Sequence, residues 1–250
     1  MELLSPEILL LLLAVGALAG WIDAIAGGGG LLTLPVLLGV GLPPLQALAT
    51  NKLQGSFGTF SATLHFLHAG EIDLRRAWPE ALAAFLGSAF GAWLVQGLET
   101  AWLQRLIPLL LVGFALYFLF SPRVGDLDSR RRLGHIPFAV LLGGGIGCYD
   151  GFFGPGTGTL FAAAYVVLAG YNLRRATAHT KLLNFSSNLA ALLTFLLSGE
   201  VVWLAGLTMA VGQLVGARLG AATALRHGAA VIRPLLVLVT LAISLKLLLR

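Results

Sequence analysis

Gly16-Ala-Leu-Ala-Gly-Trp-Ile-Asp-Ala-Ile-Ala-Gly27 and Gly143-Gly-Gly-Ile-Gly-Cys-Tyr-Asp-Gly-Phe-Phe-Gly154 repeat one pattern 127 residues apart. Each has two glycines four apart, an aspartate (Asp23, Asp150) in an apolar run, and a glycine after it. The match continues outward. Thr50-Asn51-Lys52-Leu53 falls on His179-Thr180-Lys181-Leu182, and the run from Phe66 through Gly70 and Glu71 falls on the run from Phe195 through Gly199 and Glu200. Gly87 and Gly91 meet Gly216 and Gly220, and Pro108 meets Pro234. An ordered series at nearly constant offset marks a duplicated unit.

The solvent of that unit is lipid. Of 250 residues, 58% are apolar and 11% charged, with mean hydropathy +0.90. Soluble domains run at about 45–50% apolar and about 25% charged. About 20 apolar residues cross a bilayer, so the composition supplies roughly seven full spans or more shorter ones. The net charge of +5 reports loop orientation before it reports an anionic partner, and no nucleic-acid partner is expected. One cysteine, Cys148, excludes an intramolecular disulfide and a thiolate metal cluster. The apolar opening, Ile8 to Ala19, lacks a preceding basic region and takes part in the repeat, so it is expected to belong to the mature structure.

Each copy divides into five apolar stretches. They are Ile8 to Ala26, Leu31 to Val40, Leu53 to Leu67, Trp78 to Leu98 and Leu103 to Phe120, then Ile136 to Tyr149, Thr159 to Ala169, Leu182 to Leu197, Val201 to Ala217 and Val231 to Leu249. The second of each is short. Ten helical residues rise about 15 Å, half of a hydrocarbon core about 30 Å thick. Charge decides how to count them. If all five cross, placing Arg123, Arg130, Arg131 and Arg132 in the cytoplasm also puts there the loops holding Arg75 with Arg76, Arg174 with Arg175, and Arg218, Arg226 and Arg233. Only Arg105 and Arg250 then fall outside, which satisfies the positive-inside rule. An odd count inverts the second copy. The expected fold is an all-α integral membrane protein of two inverted repeats, about five passages each, with broken or re-entrant helices at Gly-rich segments. Residues 1–122 form the first repeat, 123–135 a cytoplasmic basic linker and 136–250 the second repeat, with both termini outside.

Two breaks stand at matching places, Gly27 to Gly30 and Gly154-Pro-Gly-Thr-Gly158. Irregular backbone at membrane depth survives only against protein or a watery cavity, so Gly29 and Gly156 are expected to line a central site. The polar runs Thr50-Asn51-Lys52-Leu53-Gln54 and His179-Thr180-Lys181-Leu182-Leu183-Asn184 are read as opening the third helix of each copy. A helix N-terminus, an ammonium and the amides of Asn51, Gln54, Asn184 and Asn188 suit an oxyanion. His179 and Thr180 join this candidate set. Two plainer readings stand beside it: the lysines snorkel to opposite membrane faces, or Asp23 and Asp150 neutralise them in some combination. The aspartates serve as ion-pair partners, proton carriers or helix caps. The Gly-x-x-x-Gly pairs read as close helix crossings. The five histidines have no zinc-ligand spacing, and no cofactor, metal or catalytic residue is expected.

At Trp21 to Pro35, Ala47 to Gln54 and Tyr149 to Pro155 the chain resembles the TauE/SafE sulfite exporter family, nearest its bacterial inner-membrane branch of probable transporters. The resemblance spans about residue 8 to 249. It implies a non-enzymatic, multi-pass plasma-membrane transporter of small sulfur-containing anions such as sulfite, thiosulfate or organosulfonates. It also implies a lysine with a nearby amide in each repeat, matched by Asn51 with Lys52 and Lys181 with Asn184. Thr180 stands where the first copy has Asn51, so the half-sites are expected to be unequal. A secondary transporter working by alternating access is the leading expectation. An anion channel, an intramembrane enzyme and a non-transporting membrane subunit are the alternatives. The expected partners are the bilayer, a small anionic substrate and a second copy in a homodimer.

Overall fold

The computed structural model describes residues 5–99, 101–104, 106–107, 109–110 and 130–227. Most of the first expected fifth passage, the whole of the second, most of the basic linker, and Arg105, Arg123, Arg233 and Arg250 lie outside the described residues. Within them every regular element is helical. The first half contributes α1 (Pro6–Ala26), α2 (Gly29–Gly39), α3 (Pro44–His68) and α4 (Leu74–Gln96). The second opens with a π-helical turn, Phe138–Gly144, running into α5 (Gly145–Phe152). It continues through α6 (Thr157–Val167), α7 (Leu173–Ser198) and α8 (Trp203–His227).

Four of these, α1, α4, α7 and α8, are long and apolar enough to cross a membrane. The 25-residue α3 is long enough but too polar. Its buried positions include Asn51, Lys52, Gln54, Ser56, Thr59 and Thr63, so its polar face turns into the bundle, while Phe57, Phe60 and Leu64 stay exposed on the other face. The short stretches form α2 and α6, 11 residues each. Each follows a break in which glycine takes the left-handed backbone conformation: Gly27 at φ 79°, and Gly154 and Gly156 at φ 97° and 86°.

Equivalent helices pack equivalently. α1 lies on α8 as α5 lies on α4, α3 lies on α8 as α7 lies on α4, and α3 meets its own counterpart α7. The Gly-x-x-x-Gly pairs make the two outer contacts. A Cβ on Gly20 of α1 would stand 2.8 Å from the Gln213 carbonyl oxygen of α8, and one on Gly147 of α5 would stand 2.5 Å from the Ala84 oxygen of α4. Backbones this close leave no room for a side chain and gain van der Waals contact along the crossing. Two apolar clusters fill opposite ends of the bundle. One holds Leu34, Leu37, Leu53, Phe153, Phe195 and Met209, the other Ile25, Phe66, Phe138, Phe161, Tyr165 and Leu173. The helices crossing the space between them turn polar there, at Gln54 and Thr59, Asn184 and Asn188, and Gln213.

The crossings give a stability prediction. Gly20→Leu and Gly147→Leu should each cost about 1–3 kcal/mol or more through overpacking, seen as a lowered Tm of detergent-purified protein. Gly39→Ala, where a Cβ meets nothing within 4 Å, should stay within about 0.5 kcal/mol.

Candidate functional site

The polar layer encloses a cavity of about 40 Å³. Its wall is glycine backbone plus the side chains of Asp23, Asn51, Lys52, Gln54, Thr59, Asp150, Thr157, Asn184, Asn188 and Gln213. None of these side chains is a hydrocarbon. Between two apolar clusters, a wholly polar wall marks a place built for a solute or water rather than for packing.

Both lysines are buried, Lys52 at 1% and Lys181 at 0% exposure, so neither snorkels. Each pairs with the aspartate of the other half. Lys52 Nζ lies 2.9 Å from Asp150 Oδ1 and 3.2 Å from the Asn188 amide oxygen, while Ser187 Oγ donates to Asp150 Oδ2 at 2.5 Å. Lys181 Nζ lies 3.1 Å from Asp23 Oδ2 and also donates to the Asp23 backbone carbonyl. Asp23 Oδ1 accepts the Gly29 N–H at 3.2 Å. The pairs therefore cross between halves, and the four formal charges cancel.

One expectation is corrected. The polar runs do not open the third helices, because α3 starts at Pro44 and α7 at Leu173, which puts each lysine more than two turns inside. A helix dipole acts within its first turn, so these N-termini do not serve the lysines. The N-termini at the cavity belong to the broken helices: Gly29 and Gly30 open α2, and Gly156, Thr157 and Gly158 lead α6. The breaks touch across the halves. A Cβ on Gly27 would stand 2.5 Å from the Gly158 carbonyl carbon, and Thr159 Oγ1 donates to the Ala26 carbonyl at 3.1 Å. Lys52 lines this centre and Lys181 lies behind its wall, bonded to Asp23, so the two do not sit at opposite faces.

Asn51 and Gln54 are tied together. Thr33 Oγ1 and Gln54 Nε2 both donate to Asn51 Oδ1, at 2.5 and 2.7 Å. Gln54 Oε1 and Asn184 Oδ1 are buried without a partner among the described residues. Thr33, Ser187, Thr59 and Gln213 were missed in the sequence. Only Gln213 carries a signal, as an amide inside an apolar helix.

His179 and Thr180 do not line the cavity. The His179 ring lies 5.4 Å from Tyr165 and 5.0 Å from Tyr171. Tyr165 donates to buried Glu80 at 2.5 Å, and Arg131 reaches the same carboxylate at 3.4 Å. This second polar cluster sits at the α4 N-terminal end of the bundle. The Thr180 hydroxyl has no partner among the described residues.

Apolar helices broken in matched places around a charge-paired polar cavity are the architecture of membrane transporters, and the similar proteins agree. The chain belongs to the sulfite exporter TauE/SafE family, whose model matches residues 12–247. It is 47% identical to "Probable membrane transporter protein YfcA" of Escherichia coli strain K12, over 98% of this chain and 91% of that one. It is 45% identical to "Probable membrane transporter protein" of Haemophilus influenzae, over 96% and 94%, and 45% identical to "Probable membrane transporter protein ORF9" of Sinorhizobium, over 99% and 95%. No solved structure matches the chain.

The crossed pairing fixes which double variant restores the fold. Lys52→Met alone leaves Asp150 buried and uncompensated and should cost about 3–5 kcal/mol. Adding Asp150→Asn should recover most of it, whereas adding Asp23→Asn should not. A double-mutant cycle on thermal unfolding in detergent reads the difference.

Proposed function

We propose that this chain is a secondary transporter that carries a small sulfur-containing oxyanion (sulfite, thiosulfate or an organosulfonate) across the bacterial plasma membrane by alternating access of two inverted halves. The observation that carries the reading is the charge-balanced cavity. Asp23, Asp150 and Lys52 line it, and Lys181, which does not, neutralises Asp23 from behind, so the charges cancel in pairs and the resting site is tolerable at membrane depth. What remains for a ligand is the first turns of α2 and α6, the NH₂ groups of Asn51, Asn184 and Asn188, and the unpaired Gln54 Oε1, since the Gln54 NH₂ already donates to Asn51 and Thr33. An amide presents its NH₂ or its carbonyl by a half-turn of one torsion, which suits an oxyanion arriving with or without a proton. As the anion enters, it competes with Asp150 for the Lys52 ammonium, which Asn188 already shares.

Closure follows from the same elements. The halves meet backbone to backbone at Gly27 and Gly158, so rocking one against the other opens or seals the cavity without displacing a bulky side chain. The seals differ in kind. At one end stand Leu34, Leu37 and Met209, and at the other Tyr165, Glu80 and Arg131. The arginine-bearing end is cytoplasmic by the positive-inside rule, in a ten-passage topology with both termini outside.

Two experiments test this. Wild-type protein should bind at least one of sulfite, thiosulfate, sulfoacetate, taurine, sulfate and fluoride saturably, and trans substrate should change the transport rate. The folded Lys52→Met/Asp150→Asn variant should bind that anion tenfold to a hundredfold more weakly, a loss of about 1.5–3 kcal/mol. Unchanged affinity would remove the lysine from the substrate path, and flux insensitive to trans substrate would indicate a channel.

In a Cys148→Ser background, single cysteines at Ala69 and Glu99, at opposite ends of α4, should react with an impermeant thiol reagent from opposite sides of the membrane. In intact cells only position 99 should label, and labelling of position 69 would reverse the orientation.

A further inference from the structure

Away from the cavity, a groove of about 390 Å³ runs along the outer surface between α3 and α8. The two helices lie parallel there, since Thr50 meets Val202 and Ser61 Oγ donates to the Leu214 carbonyl. The chemistry therefore grades along the groove. Phe60, Leu64 and Leu214 line its apolar part, and His65, His68 and Arg218 crowd toward the C-terminal ends of the helices. Phe60 and Leu64 are exposed, as is Arg218 between the exposed Val215 and Leu219, on a face of α8 that otherwise presents hydrocarbon.

Arg218 makes no ion pair among the described residues, and the carboxylates at this end are already taken. Glu71 is held by Arg174 at 2.5 Å, Asp73 by Arg76 at 3.3 Å and Glu80 by Arg131 at 3.4 Å. The sequence after Arg218 contains no Asp or Glu. A permanently charged guanidinium on an apolar membrane helix needs a counter-anion. Beside an exposed apolar groove in a bilayer, a lipid phosphate supplies both the charge and the chain.

We propose that this groove is a binding site for one anionic phospholipid, its phosphate held by Arg218 with His65 and an acyl chain lying over Phe60, Leu64 and Leu214. The site lies outside the transport cavity and does not depend on which anion is carried.

Native mass spectrometry of the full chain in detergent, with phosphatidylglycerol or phosphatidylcholine of identical chains added, tests it. Wild type should retain phosphatidylglycerol in preference to phosphatidylcholine. Arg218→Gln should lower that retention about fivefold, and Leu64→Trp, which fills the apolar part, should lower it with the charge intact. Arg226→Gln, on the same helix but outside the groove, should leave it unchanged. Equal retention of the two lipids, or full phosphatidylglycerol retention by both groove variants at unchanged Tm, would overturn the proposal. Displacement by free glycerol phosphate at equimolar concentration would overturn it too, because the groove would then be an ion site without a lipid.

Discussion

Lys52 with Asp150 and Lys181 with Asp23 put four ionic groups inside a bundle that lies in lipid. Each would carry a penalty of several kcal/mol if buried alone, and each finds its counter-charge on the opposite half of the chain. Neither half can satisfy its own charges, so the halves must close on one another for either to be complete. The rest of the architecture makes that closure possible. Glycines let α1 reach α8 and α5 reach α4, and the two breaks touch at Gly27 and Gly158. The remaining interior separates into apolar caps above and below a polar layer.

The two half-sites share a plan and differ in their fittings. Asp150 accepts a hydroxyl from Ser187, whereas Asp23 accepts a backbone N–H at the start of α2. Lys52 shares an amide oxygen and Lys181 a backbone carbonyl. Asn51 sits in a network with Thr33 and Gln54, while its counterpart Thr180 is buried without a partner among the described residues. Lys52 is thus held by side chains alone, and Lys181 is also tied to the backbone of a broken helix. The two halves of the site are therefore chemically distinct.

The same inequality recurs toward the ends of the bundle. His179 packs among Tyr165 and Tyr171 beside Glu80 and Arg131, whereas its counterpart Thr50 accepts a single N–H from Val202. Matched backbone positions thus carry a buried polar cluster at one end of the bundle and a lone hydroxyl at the other. Helix packing tolerates such divergence because a buried position asks for volume and satisfied hydrogen bonds rather than for one residue type.

The sequence by itself determined the membrane setting, the helical class and the places where helices break, and it singled out Lys52, Lys181, Asp23 and Asp150 without bringing them together. Those features are written in composition, in hydrophobic run length and in repeated local patterns, all of which are short-range. It left open which acid meets which base, and it misread the N-termini at the site, because Pro44 and Leu173 start their helices well before the polar runs. Gln213, Ser187 and Thr33 looked like ordinary helix residues, and His179 was drawn into a site it does not reach. Only the tertiary structure decided these points, because the partner of a buried side chain depends on the register and angle at which distant helices cross, and no local spacing encodes that.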